Sequence, residues 1–162
     1  MADLILAGDI GGTKSDLALF VREGGRLALV REKRFATTAP DSLAAMLDVF
    51  LKDERERPAV AAFGVAGPVR EGVADSTNFP WDVDGRQAAA HLGLAPGRVA
   101  VINDLMAMAW GVLALPPERF ASLNEGTADT LGNGAVIAAG TGLGEALLIR
   151  NGSLIDGTGG PA

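Results

Sequence analysis

The sequence contains no cysteine and one histidine, His91, and its bases are outnumbered by its acids. Without cysteine, disulfides, thiolate catalysis and Cys-ligated zinc are excluded. The single histidine argues against a His-rich metal site. Fourteen Lys and Arg against twenty Asp and Glu give a net charge of −6. A nucleic-acid surface needs clustered bases to neutralise phosphates. Here they are scattered, apart from the short run Arg31, Lys33 and Arg34. No apolar stretch approaches the ~20 residues of a membrane span. The start, "MADLILAG", holds Asp3 and too short an apolar run for a signal peptide. The expectation is a cytoplasmic protein that binds neither nucleic acid nor membrane. The chain has 162 residues, 48% of them hydrophobic, enough for one domain or a piece of a larger one.

Residues 3–8, "DLILAG", read as a buried strand, and 16–22 and 27–35 as two more, with Gly24-Gly25 as a hairpin turn. Asp41 and Ser42 are cap candidates for a helix whose Leu43, Met46, Leu47, Phe50 and Leu51 recur at helical spacing. The charged run that follows, to Arg57, reads as a solvated helix end. Residues 59–66 form an apolar strand broken by Gly67-Pro68. An irregular loop, "DSTNFPWDVDG", precedes a short helix at 84–92, a buried strand at 98–102 and a helix over "LMAMAWGVLAL" that Pro116-Pro117 ends. A polar loop to about residue 134 leads to strands at 135–139 and 144–150, and Asn151-Gly152 is a further turn signal. Met106, Met108 and Trp110 read as core packing. His91 reads as a surface or capping residue.

The stretch Gly8, Asp9, Ile10, Gly11, Gly12, Thr13, Lys14, Ser15 is close to a Walker loop, but Thr13 stands where that pattern wants glycine. A Walker or Rossmann loop leads from strand to helix, so that a helix N-terminus receives the phosphate. Here both flanks are strand-like, so the segment is the tip of a hairpin. Its glycines let backbone N–H groups approach an anion. Thr13 and Lys14 add a hydroxyl and a positive charge, and Asp9 could orient hydrated Mg²⁺. A plain hairpin turn needing positive φ is the simpler alternative. A second hairpin of the same kind, "AAGTGLGEALL", favours a two-turn polyphosphate clamp.

"GDIGGTKSDLAL", "GVAGPV", "TNFPW", "VINDLMAMAWG" and "GTGLGEALL", in that order, resemble the bacterial glucokinase family of the sugar-kinase and actin-like ATPase superfamily. The resemblance runs from residue 4 to about 152. It implies an α/β fold of the actin-like ATPase (ribonuclease H-like) type, a mixed sheet with flanking helices. A small domain would span 1–113, and 114–162 would begin a large domain. It implies ATP with Mg²⁺ as co-substrate, glucose as acceptor, and allows a homodimer. Asp104 would be the base that takes the proton of the glucose 6-hydroxyl, although a carboxylate opening a helix is also an ordinary cap. Asn103, Thr77 and Asn78 would bind sugar. Gly8, Asp9, Ile10, Gly11, Gly12, Thr13 and Lys14 would form the first phosphate loop, with Asp9 meeting the metal through water. Gly140, Thr141 and Gly142 would form the second. Trp81 is expected to pack beneath its loop rather than touch sugar.

The match departs from the family at the end, where Thr158 and Pro161 stand in place of a Glu and a His that complete the sugar site. The 162-residue chain by itself is therefore expected to be a fragment with little turnover. Two rivals are a ROK-type sugar kinase, such as an N-acetylmannosamine kinase, and a non-catalytic sugar-responsive regulator. The first shares "DIGGTK" but usually follows its catalytic strand with Asn-Asp-Ala-Asn, where this chain has "NDLMAM".

Overall fold

A computed structural model of the chain describes residues 3–75, 81–124, 132–139 and 143–149. The chain divides into two compact units, Met1–Asp104 and Leu105–Ala162.

The first unit opens with three antiparallel strands, β1 (Leu4–Ile10), β2 (Lys14–Glu23) and β3 (Arg26–Ala36). Gly24 and Gly25 turn between β2 and β3 with φ of 56° and 81°, the left-handed pair that a two-residue hairpin demands. Helix α1 (Leu43–Leu51) follows, then β4 (Val60–Val65). Ser42 caps α1, its hydroxyl accepting from the Ala45 N–H at 3.1 Å. Next come three two-residue strands, β5 (Val69–Arg70), β6 (Val73–Ala74) and β7 (Val83–Asp84), which form a small antiparallel sheet. Helix α2 (Gly85–Leu92) is capped by Asp84, which accepts from the N–H groups of Arg86 and Gln87. Strand β8 (Val99–Asn103) completes the unit.

The main sheet has the order β3-β2-β1-β4-β8, antiparallel across the first three strands and parallel from β1 through β4 to β8. This is the mixed sheet with flanking helices expected for an actin-like ATPase fold. Alternation along the strands separates its two faces. Leu6, Leu17, Leu19, Phe63 and Val101 join Leu43, Met46, Leu47 and Phe50 of α1 and Ala88 and Leu92 of α2 in one buried cluster. The other face carries Ala7, Asp9, Ala18 and Asp16, which are half-buried or exposed.

Glu54, just past α1, is not part of a solvated end. Its carboxylate accepts from Arg31 on β3 at 2.9 Å, and the same guanidinium donates to the Phe50 carbonyl and lies 4.9 Å from the Phe50 ring centroid.

Helix α3 begins at Asp104, the last residue of the first unit, and continues through Ala114; in the second unit a single 3-10 turn covers Pro117–Arg119, and β9 (Gly134–Ala139) pairs antiparallel with β10 (Leu143–Leu148). The core reading of Met106, Met108 and Trp110 does not hold: Met108 is 47% exposed, Met106 and Trp110 are half-buried, and the buried residue of α3 is Ala109. Apolar residues ring α3 instead of forming one stripe, so part of its apolar surface stays in contact with solvent. No helix among the described residues is long and apolar enough to cross a membrane.

Candidate active site

The three parallel strands end together. In register, Asp9 stands beside Gly64, and Ile10, Val65 and Asn103 form the next row. Ligands of open α/β sheets bind beyond the carboxyl ends of such strands. Two structures occupy this end of the unit, the β1–β2 turn and the β8–α3 junction.

The turn closes with the Gly11 N–H donating to the Lys14 carbonyl at 3.1 Å. A Cβ on Gly11 would lie 2.8 Å from that carbonyl oxygen. Glycine is needed at this position because the chain folds so close to itself, and not for a positive φ. Thr13 and Lys14 are exposed at the tip. Gly8, counted in the same motif, has a different function in the packing. It lies within β1 between Leu17 and Phe63, and a Cβ there would come within 2.6 Å of the Phe63 ring.

Behind the turn stands Thr37, fully buried. Its hydroxyl donates to the Gly11 carbonyl at 2.7 Å and lies 2.8 Å from the Ser15 hydroxyl, and its N–H donates to the Thr13 carbonyl at 3.0 Å. Neither Thr37 nor Ser15 was expected from the sequence. The only signal was a pair of polar residues at positions that prove to be wholly buried.

Asp9 projects from the open face of the sheet opposite Asp16. Partial burial pushes its carboxyl above the usual carboxylate range, and the negative charges of Asp104 and Asp16 add to this, against Lys14 and Arg34. Arg34, next in the row, holds Asp16 with two hydrogen bonds at 2.7 and 2.8 Å. That contact sets the Asp16 carboxyl below its usual range.

At the β8–α3 junction, Asp104 is the first residue of α3 and is half-buried. Asn103 precedes it, and its Nδ2 donates to Asp104 Oδ1 at 2.9 Å and to the Gly67 carbonyl at 3.0 Å. Both amide hydrogens are thus committed to the protein, so the side chain is held rigid against the "GVAGP" turn and steadies the carboxylate beside it. The Asp104 charge acts on the Asp9 carboxyl, and the strand register sets Asp9 and Asn103 in neighbouring rows at the same end of the sheet.

Trp81 packs against the core and its Nε1 donates to the Pro40 carbonyl at 3.1 Å. His91 is exposed and bonds Asp48 of α1 at 2.9 Å, a tie between the two helices and not a ligand. Thr77, Asn78, Gly140, Thr141 and Gly142 lie outside the described residues.

Asp9 offers a hard oxygen donor in a region of surplus negative charge, which suits Mg²⁺. No group of three or more potential ligands that could hold a metal occurs among the described residues.

The glucokinase family profile matches residues 6–158. A glucokinase of Trichormus variabilis is 35% identical over 153 residues, covering 93% of this chain and 44% of that one. The crystal structure of a glucokinase from an Antarctic psychrotroph superposes with a TM-score of 0.82 at 28% identity, over 94% of this chain and 48% of the other. A Balamuthia mandrillaris glucokinase in complex with glucose gives a TM-score of 0.66 at 25% identity, over 91% and 45%. The chain spans about half the length of the relatives it matches. From the profile match over nearly all of its length, the chain belongs to the glucokinase family.

Proposed function

We propose that the complete protein carrying this sequence transfers the terminal phosphoryl group of ATP to the 6-hydroxyl of glucose, and that this chain supplies the general base and the first phosphate loop. The observation that carries the reading is Asp104, fixed at the start of α3 by the Asn103 amide at the carboxyl end of the parallel strands. A carboxylate in that position can accept the proton of a hydroxyl as its oxygen attacks phosphorus. Phosphoryl transfer asks little more of a protein than positioning and charge stabilisation. Gly12, Thr13 and Lys14 present a backbone N–H, a hydroxyl and an ammonium group to the phosphates, while Gly11 closes the turn through its N–H to the Lys14 carbonyl and Gly8 and Ile10 set the strand that carries it. Asp9 would hold hydrated magnesium, which would supply positive charge against that of the phosphates. Thr77 and Asn78 hold the sugar, and Asn103, whose amide hydrogens are committed to Asp104 and Gly67, accepts from a sugar hydroxyl through its amide oxygen. The turn of Gly140, Thr141 and Gly142 is read as the second phosphate motif from its sequence alone. The small domain would run to about residue 113, the cytoplasm would be the working compartment, and the reading allows a homodimer.

Calorimetry on the complete protein with glucose, ATP and N-acetylmannosamine tests this. Binding of glucose and ATP is expected. Preference for N-acetylmannosamine would favour a ROK-type kinase, and sugar binding without ATP binding would favour a regulator.

A further inference from the structure

We propose that Thr37 is the positioning residue of the phosphate loop, aiming the Gly12 N–H outward through a directed chain of hydrogen bonds; this rests on the phosphate reading of that loop. A hydroxyl carries one proton. The Thr37 proton goes to the Gly11 carbonyl at 2.7 Å. The 2.8 Å contact between Thr37 and Ser15 must then be donated by Ser15. The chain therefore runs in one direction, from Ser15 O–H to Thr37 O–H to the Gly11 carbonyl, and both side chains are fully buried. Such chains polarise one another in a water-poor setting.

The consequence lies in the peptide that Gly11 shares with Gly12. No cis peptide occurs among the described residues. In a planar trans peptide the carbonyl and the N–H point in opposite directions. Anchoring the Gly11 carbonyl inward on Thr37 turns the Gly12 N–H away from the core, toward the space an anion would occupy. The Thr37 N–H fixes the Thr13 carbonyl independently, at 3.0 Å. Thr37 thus grips both sides of the Gly12–Thr13 tip from β3's end without being able to reach a ligand itself.

The test uses the ¹⁵N-labelled 162-residue chain, with inorganic tripolyphosphate as the probe. In the wild type the Gly12 amide resonance should move on titration. Thr37→Val, which removes only the hydroxyl, should displace that resonance before any ligand is added and weaken the probe's apparent affinity by about fivefold or more, the loss of roughly one oriented hydrogen bond. Thr37→Ser should restore both. Ser15→Ala, which leaves the Thr37–Gly11 bond in place, should weaken binding less than Thr37→Val. Val83→Ala, a core change in β7 outside the main sheet, should leave affinity unchanged at a comparable loss of stability. Should Thr37→Val fail to fold, Thr37→Cys, which replaces the hydroxyl by a weaker thiol donor and, like the Ser variant, lacks the γ-methyl, carries the same expectation. Wild-type affinity and an unmoved Gly12 resonance in the Val or Cys variant would overturn the role of Thr37 alone. A wild-type Gly12 amide that ignores tripolyphosphate would overturn the phosphate reading and this inference with it.

Discussion

Arg34 grips both carboxylate oxygens of Asp16, through Nε at 2.7 Å and Nη2 at 2.8 Å, and does so in the cross-strand row that also holds Asp9. Like charges directly opposite on paired strands repel. Arg34 offsets that repulsion from the far side of Asp16, and Asp9 is left as the carboxylate with the elevated proton affinity.

The two carboxylates therefore shift stability in opposite directions with pH. The folded state holds Asp16's proton less firmly than the unfolded chain does, so its contribution is present above the ordinary carboxylate value of about 4 and is lost as pH falls through the lowered folded value. Asp9 is held protonated more firmly when folded, so its ionisation opposes folding as pH rises through its raised value. Asp16→Asn should lower the melting temperature at pH 7, with the difference closing in acid. Asp9→Asn should raise it at pH 7, also with closure in acid. Thermal unfolding of both variants across the acid range checks this, and equal offsets at every pH would contradict it.

Gly8 and Phe63 form a matched pair, since the ring fills the space that a side chain at position 8 would need. Gly8→Ala should cost about 1–3 kcal/mol through overpacking. Phe63→Leu in the same chain should recover part of that loss. The comparison is a double-mutant cycle by urea unfolding, and strictly additive losses would show that the two residues do not contend for the same space.

Arg31 joins β3 to the end of α1 through Glu54, the Phe50 carbonyl and the Phe50 ring. Its side chain is 28% exposed and that of Glu54 is 23% exposed, so neither contact is an ordinary surface pair. Arg31→Ala should destabilise the chain by about 1–2 kcal/mol. Arg31→Lys should recover little of this, because a point charge cannot serve the carboxylate, the carbonyl and the ring together. Chemical denaturation gives both values. A Lys variant as stable as wild type would contradict the account.

Local pattern was enough to reveal the strands β1 to β4 and β8, the Ser42 cap and the hairpin character of the glycine turn, because alternation, capping chemistry and Gly-Gly pairs act within a few residues. The two-residue strands β5 to β7 left no periodic signal, since neither strand is long enough to alternate. Partnerships across the fold were illegible for a related reason. Arg31 and Arg34 looked like members of one basic cluster, yet they face opposite sides of β3 and meet Glu54 and Asp16, 23 and 18 residues away. Thr37 resembled any polar residue after a strand until the sheet buried it behind the loop. Asp104 was legible because a strand end followed by a helix start is a local arrangement. The restraint on it from Asn103 and Gly67 depends on a turn 36 residues earlier.

The central claim is that Asp104 takes the proton of a glucose hydroxyl during phosphoryl transfer from ATP. The most direct measurement is steady-state formation of glucose 6-phosphate by the complete protein, wild type and Asp104→Asn, with glucose affinity determined separately by calorimetry. Removing a positioned general base should lower kcat by about 10²–10⁴-fold, while glucose binding stays within about threefold, less than the 1.4 kcal/mol of a tenfold change. An Asp104→Asn protein that phosphorylates glucose at the wild-type rate would contradict the account.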